Sequence, residues 1–380
     1  MARFLKFIVF LFVLYVSWPF IEKLSANTDF EKSITQVQSE MNTIKNNPAV
    51  VLTINSIYEE YQQAMKQLNS QLGVIQEPQG KSEEGKVEKI ELETPTKQIF
   101  SVYNVELGDK KEEIESHLGA AERSTMNEYG TKWFSYHDHY QHFLMIMYDQ
   151  NNQAVGLFSN QDLLASSKGI TFGSTKETVR SKLGEPVTSI QKGLTIFQLQ
   201  ENNEYDLFLL DGTYVTIFYD KHENETVTAI QIINQKLEEK KSDIYTTPSP
   251  PLKEGFEYQL FDLTNASRVN HQLPILTWDQ HVRETARKHS TDMAVNHYFN
   301  HENLKGQSPF DRMEADQVFF HLAGENLAYG QFSSIFAHEG LMNSLGHREN
   351  ILREDFEFLG VGVAFNDESH PYYTENFYAK

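Results

Sequence analysis

The sequence predicts a mixed α+β protein whose last third is an α-β-α sandwich. A duplicated helix-plus-sheet α+β domain and an N-terminal helical segment are predicted to precede the sandwich. Two runs near the C-terminus, 359–365 and 372–377, alternate like strands of a central sheet, and helical spacings precede them. A helix pattern at 107–119 recurs at 172–184, and strand-like segments follow each copy. A chain of 380 residues also exceeds one ordinary core, which favours several domains.

The N-terminal segment 1–23 has the layout of a secretory signal. Arg3 and Lys6 precede an apolar run from Phe7 to Ile21. At ~1.5 Å per residue this run spans about 22 Å, less than the ~30 Å hydrocarbon core of a bilayer, and no small-residue cleavage site follows it directly. An uncleaved membrane anchor and a cleaved signal peptide both stay open. Either one predicts an extracytoplasmic protein, membrane-anchored or secreted.

Two further segments separate the N-terminus from the first globular domain. Apolar residues at helical spacing over 24–75, with Asn47-Pro48 between two runs, predict a helical stalk, and a loosely structured spacer is the alternative. Residues 76–97 are polar, charged and poor in aromatics, which is typical of a flexible linker.

The repeated pattern predicts a duplicated domain over 98–236. Each copy begins with a helix that Asp109 or Ser174 is expected to cap and that a glycine ends, and strands follow. His137 and His139 share one strand face there, which we interpret as solvated. A charge run and a proline-rich stretch then predict a linker over 237–255, across which the two C-terminal domains are expected to reorient.

Composition excludes several classes of function. The chain has no cysteine, which excludes disulfides, thiolate catalysis and cysteine-type zinc sites. A formal net charge of −20 argues against a nucleic-acid partner, because little positive charge is available to neutralise phosphates. An exported protein without disulfides suits the outer face of a Gram-positive-type bacterium.

Two helices are predicted to open the C-terminal domain, 256–380. The first runs from about Phe256 to His271, and Asn265 and Arg268 are expected to tie it to a neighbouring loop. The second is expected to begin after an N-cap at Asp279. His289 lies on the apolar stripe of that helix, so we interpret it as a hydrogen-bonded core histidine.

Four polar side chains in this domain are the candidate site. His301, Glu325, Glu339 and His347 each lie in a short polar signature, and imidazole with carboxylate is the pair most often used for metal ligation or proton transfer. Their spacing matches no close metal motif, so they form a pocket only if the fold gathers them.

A resemblance strengthens the pocket hypothesis. Residues 256–380 resemble the CAP domain, the superfamily of cysteine-rich secretory proteins, antigen 5 and pathogenesis-related 1, in its cysteine-free bacterial form. The preceding domain is similar to the one that accompanies CAP domains in bacilli. The matching segments are Asn265–Arg268, Ala286–Met293, Phe299–His301, Ser308–Arg312, Gly324–Asn326, Met342–Leu352 and Gly360–Gly362.

The resemblance implies a pocket of two histidines and two carboxylates. The second carboxylate of the family usually sits five residues before a tryptophan. In this chain those positions hold Phe336 and Leu341, so the nearest acid, Glu339, is taken as the fourth member and His338 is its alternative.

Three functions remain open from the sequence, and whether the protein is an enzyme is uncertain. A binding module would hold Zn²⁺ or another divalent cation on His301 and His347, beside a cleft for an envelope lipid, glycan or peptide. A hydrolase would use Glu325 and His347 as catalytic groups, and Ser344 is expected to be only a helix-surface hydroxyl. An envelope scaffold with a vestigial pocket is the third. The binding module is favoured.

Overall fold

The computed structural model describes residues 90–192, 195–199 and 204–380. The predicted signal or anchor, the stalk and most of the first linker lie outside these residues. The described residues form one compact unit. None of the helices in the described part of the chain combines the length and apolar character needed to cross a bilayer.

Eight helices and fifteen strands are described within this unit. The helices are α1 Lys111–Leu118, α2 Lys176–Leu183, α3 Gln235–Lys240, α4 Pro250–Asn270, α5 Gln280–Asn296, α6 Pro309–Ala315, α7 Ser334–Met342 and α8 Leu345–Ile351. The strands are β1 Phe100–Val102, β2 Arg123–Met126, β3 Lys132–Asp138, β4 Gln141–Tyr148, β5 Ala154–Ser159, β6 Leu164–Ser166, β7 Ser189–Lys192, β8 Thr195–Gln198, β9 Tyr205–Leu210, β10 Thr213–Asp220, β11 Thr226–Asn234, β12 Thr277–Trp278, β13 Leu322–Tyr329, β14 Phe358–Phe365 and β15 Pro371–Ala379.

The first half of the unit, residues 90–240, is called the sheet region here. Its antiparallel sheet has seven strands in the order β2-β3-β4-β5-β11-β10-β9. Ile114 of α1 and Val179 of α2 pack on one face, whereas Trp133, Phe143 and Phe158 on the other join a core that continues into α4. Because both faces are covered, the central strands are apolar on both sides rather than alternating.

The repeated sequence segments form α1 and α2, and Gly119 and Gly184 follow these helices at positive φ, where glycine carries no steric penalty. The predicted N-caps are wrong by one residue. The cap of α1 is Lys110, which makes no side-chain capping bond, and Thr175 caps α2. Asp109 instead accepts the backbone N–H of Glu106 at 2.8 Å, because the preceding turn competes for its carboxylate.

Residues 250–380 form the predicted α-β-α sandwich, called the sandwich here. Its sheet has the order β12-β14-β15-β13. Leu359, Val361 and Val363 of β14 share a core with α4, while Gly360 and Gly362 lie against the backbone of α5 on the opposite face. The α+β class and the sandwich are therefore confirmed.

Several details of the sandwich were predictable. Asp279 caps α5 by accepting from the N–H groups of His281 and Val282. Asn265 exchanges two hydrogen bonds with the backbone of Leu276, at 3.0 and 2.7 Å, and so ties α4 to the loop that follows it. Buried His289 donates through Nε2 to Asn300 O at 3.0 Å. The first helix begins at Pro250, six residues earlier than predicted, because Ser249 caps it.

The sheet region and the sandwich share α4, which is buried against both. Gln259 Nε2 donates to Thr125 Oγ1 and to Met126 O at 3.0 and 2.9 Å. Asp262 accepts from Tyr140 Oη and from Arg123 Nε, both at 3.0 Å. The expected reorientation across 237–255 is therefore not what the structure shows. The polar composition of that segment indicated flexibility, but it says nothing about the helix that follows.

A close backbone approach fixes this shared helix in place. A Cβ added to Gly255 of α4 would lie 2.0 Å from Met126 O of β2. We expect Gly255→Ala to lower the free energy of unfolding by about 2 kcal/mol, because the backbones must separate. Chemical denaturation measures this. Gly340→Ala is the control, since a Cβ there meets nothing within 4 Å and alanine favours a helix. Equal stability of the two variants would contradict the prediction.

Candidate functional site

His301, Glu325 and Arg312 form one hydrogen-bonded cluster in the sandwich. His301 lies in the loop after α5, and its Nδ1 is 2.9 Å from Glu325 Oε1. Arg312 Nη2 of α6 donates to Glu325 Oε2 at 2.6 Å. The Glu325 side chain is 1% exposed and that of His301 is 51% exposed. The structure thus brings two predicted site residues together and leaves one side of the imidazole accessible.

The position of Arg312 follows from local sequence. Ser308 and Asp311 form a capping box at the start of α6, with Pro309 in the first turn. Arg312 on this short helix also donates through Nη1 to His301 O at 2.7 Å. It therefore holds both the carboxylate and the loop of the imidazole. Arg312 lies in the matching segment Ser308–Arg312, but the sequence did not identify it as a site residue.

Glu325 lies in the middle of β13. A Cβ on Gly324 would lie 2.9 Å from the ring of Phe356 and 3.1 Å from Asn350 Oδ1, so glycine permits close packing there. Asn350 Nδ2 of α8 donates to Glu325 O at 3.3 Å. This strand and α8 are therefore in direct contact beside the cluster.

His347 is presented by α8. Its Nδ1 lies 2.8 Å from Ser344 Oγ, so Ser344 is more than the helix-surface hydroxyl that was predicted. Asn326 Nδ2 donates to His347 O at 3.1 Å, which links the histidine to β13. Burial, with a smaller contribution from His301, lowers the pKa of His347.

The structure does not bring Glu339 to this group. Its carboxyl is buried on α7, and burial, together with the nearby Asp220 of the sheet region, raises its pKa to about 8. Arg348 is its other charged neighbour. The alternative, His338, is also buried, and its Nε2 contacts Ser267 Oγ at 2.7 Å. Both side chains face the interior because α7 is packed against α4 and the sheet region.

A further buried carboxyl was missed by sequence reasoning. Glu375 of β15 is fully buried, with Thr264 Oγ1 donating to it at 2.9 Å and Asn326 Nδ2 at 3.1 Å. Burial raises its pKa to about 7. An acidic residue in a predicted central strand was the available signal, because such a group must have buried partners.

A closed metal site is not assembled from protein side chains in the described residues. Across 90–192, 195–199 and 204–380 no three His, Cys, Asp or Glu side chains are placed to hold one ion. The candidate ligands are the imidazoles of His301 and His347, and the Nδ1 atom of each already makes a hydrogen bond. That arrangement leaves Nε2 of His301 and of His347 as the available ligand atoms.

Comparison with known proteins accounts for both halves of the unit. The family described as CAP-associated N-terminal matches residues 107–243, and the cysteine-rich secretory protein family, CAP, matches residues 261–377. "Uncharacterized membrane protein YlbC" of Bacillus subtilis (strain 168) is 32% identical over 327 residues, covering 79% of this chain and 89% of that protein. The chain belongs to the CAP family. The sandwich is its CAP domain and the sheet region is its CAP-associated domain.

Other proteins match large parts of this CAP protein. "Uncharacterized protein YkwD" of Bacillus subtilis (strain 168) is 28% identical over 261 residues, covering 60% of this chain and 96% of that protein. The crystal structure of an extracellular protein containing a SCP domain from Bacillus anthracis str. Ames has 27% identity and a TM-score of 0.63, covering 77% of this chain and 99% of that one. A cysteine-rich secretory protein from Staphylococcus aureus subsp. aureus Mu50 has 14% identity and a TM-score of 0.60, covering 76% and 95% of the chains, and shows the shared fold alone.

Proposed function

We propose that this CAP protein acts outside the cytoplasm, at the cell envelope, as a binding module. In this proposal His301 and His347 hold a divalent cation such as Zn²⁺, beside a cleft that takes an envelope lipid, glycan or peptide. The contact between the half-exposed His301 and the buried Glu325 carries the proposal. A carboxylate behind an imidazole is the usual support of a histidine that binds a metal.

The protonation of the two imidazoles suits a cation. When His301 donates its Nδ1–H to Glu325, the lone pair of Nε2 remains free to coordinate. The lowered pKa of His347 favours the neutral imidazole that coordination requires. Two protein ligands leave the other positions of a tetrahedral ion to water or to a bound molecule, which is how an exchangeable site differs from a structural one.

The extracytoplasmic location rests on four supports. The N-terminal segment 1–23 has the layout of an export signal, and the chain has no cysteine that would need an oxidising or reducing compartment. One relative is named a membrane protein, and the related crystal structure is of an extracellular protein. Membrane attachment through the N-terminus belongs to this proposal.

Titration calorimetry of the full-length protein with ZnCl₂ tests the cation site. We expect His301→Ala and His347→Ala to abolish binding, and Glu325→Gln to weaken it about 10–100-fold through loss of the supporting carboxylate. His139→Ala is the control, because that histidine is 87% exposed in the CAP-associated domain. A wild-type protein that binds no cation, or binding unchanged by the first two variants, would refute the proposal.

The contact between Ser344 and His347 favours a second candidate function, a hydrolase. The hydrolase is less well supported than the binding module, because the carboxylate of Glu325 contacts His301 rather than His347. Ser344, His347 and Glu325 therefore do not form the hydrogen-bonded series that activates a serine nucleophile. Turnover of a cell-wall or peptide substrate that is lost in Glu325→Gln would favour the hydrolase over the binding module.

A further inference from the structure

The junction between α7 and α8 is held by the CAP-associated domain. Asn343, at this junction, donates through Nδ2 to Tyr219 O and accepts through Oδ1 from Lys221 N, both at 2.9 Å. The Nε2 of His222 donates to Asn343 O at 3.2 Å. The end of β10 and the turn after it, residues 219–223, thus hold this junction, and His222 donates to the Asn343 carbonyl where the helix breaks.

An ion pair ties Arg348, in the last turn of α8, to the same segment. Arg348 Nη1 donates to Asp220 Oδ2 at 2.8 Å, and the two side chains are 12% and 8% exposed. Asp220 is itself oriented by His222 N, which donates to its Oδ1 at 2.8 Å. Breaking this largely buried pair is costly, because Arg348 would keep only the exposed Glu223, 3.7 Å away, as an ion-pair partner.

These contacts bracket the site residues of α8. Ser344 and His347 lie between Asn343 and Arg348, the two residues that the CAP-associated domain holds. From the other side, Asn326 and Asn350 attach α8 to β13, which carries Glu325. The orientation of a seven-residue helix with no side-chain N-cap bond therefore depends on attachments outside itself.

We propose that the segment 219–223 of the CAP-associated domain positions His347. Asp220 of that segment and Asn343 of the CAP domain are the positioning residues. The CAP site is then complete only when the two domains are docked. Its effect on cation binding rests on the function proposed above, whereas its effect on the geometry of His347 does not. Neither positioning residue contacts the cation or the ligand.

The experiment compares two neutral amides that bridge the same interface. Asn343→Ala removes two cross-interface hydrogen bonds at the α7–α8 junction, and Gln259→Ala removes two others, to Thr125 and Met126, on α4. Both are expected to lower the melting temperature. Only Asn343→Ala is expected to change the ¹⁵N chemical shift of the His347 imidazole at fixed pH and to weaken Zn²⁺ binding about 10-fold.

Asp220→Asn covers the case in which Asn343→Ala does not fold, since it preserves side-chain shape while removing the ion pair. The same shift and the same loss of affinity are expected from it. An unchanged imidazole shift in a folded variant that has lost stability, or equal shifts in Asn343→Ala and Gln259→Ala, would overturn the inference. If the wild-type protein binds no Zn²⁺, the proposed function fails, and the imidazole shift alone still decides this inference.

Discussion

Replacing Glu257 by alanine is expected to lower the free energy of unfolding by about 3–5 kcal/mol, because two arginines lose their buried partner. Glu257 of α4 is fully buried and accepts from Arg283 Nε at 2.9 Å and from Arg287 Nε at 2.7 Å, with both Nη2 atoms also within hydrogen-bond distance. Its Oε1 additionally accepts from Val363 N at 3.1 Å, where β14 extends beyond the short β12. Equilibrium denaturation in urea measures the loss.

Glu254→Ala is the matched control for this variant. Glu254 contacts the same Arg283 at 3.3 Å, but its side chain is 53% exposed. Water can replace that partner, so a loss of less than about 1 kcal/mol is expected. A Glu257→Ala protein as stable as Glu254→Ala would show that the buried network does not hold α4 to α5.

Stability is expected to fall as the pH rises from 6.5 to 8. Burial raises the pKa of Glu339 to about 8 and those of Glu128 and Glu375 to about 7, from an ordinary value of 4.5. In this range the folded protein still binds protons that the unfolded chain has released, so rising pH favours unfolding. The loss is on the order of 3 kcal/mol across the range. Buried His338, with its pKa lowered to about 3, adds an opposite slope that is largest below pH 6.5 and fades above it.

Thermal unfolding of Glu339→Gln at the same pH values isolates the largest contribution. Glutamine keeps the shape of the side chain but has no proton to lose, so its melting temperature is expected to fall less between pH 6.5 and 8. The variant is also expected to be more stable than the wild type at pH 8. Identical pH profiles for the two proteins would show that Glu339 does not control this dependence.

The secondary structure of the CAP domain was largely predictable because its signals are local. The cap at Asp279, the alternating strands before and after Asn366 and the buried stripe with His289 each depend on neighbours a few residues away. His301 and Glu325 could be paired only through the family resemblance, because the contact joins a loop to a strand 24 residues later.

The orientation of Glu339 could not be predicted from the local sequence. This residue was chosen because it is the acid nearest to the usual position, yet the two faces of α7 are almost equally apolar, so the sequence does not indicate which face meets the site. The partners of Glu257 and Glu375 come from distant segments and were likewise not predictable. Charge burial of this kind depends on tertiary contacts, which no local spacing encodes.

The shared helix α4 makes the two domains one structural unit. A protease that nicked the connecting segment 241–249 would leave two fragments that remain associated, because Gln259 and Asp262 stay bonded to β2 and Tyr140. Expressing either domain by itself would remove the hydrogen-bond partners of these polar groups and expose the apolar surface around them. Both effects favour aggregation. Truncated versions of this protein are therefore poor tools for assigning its activity.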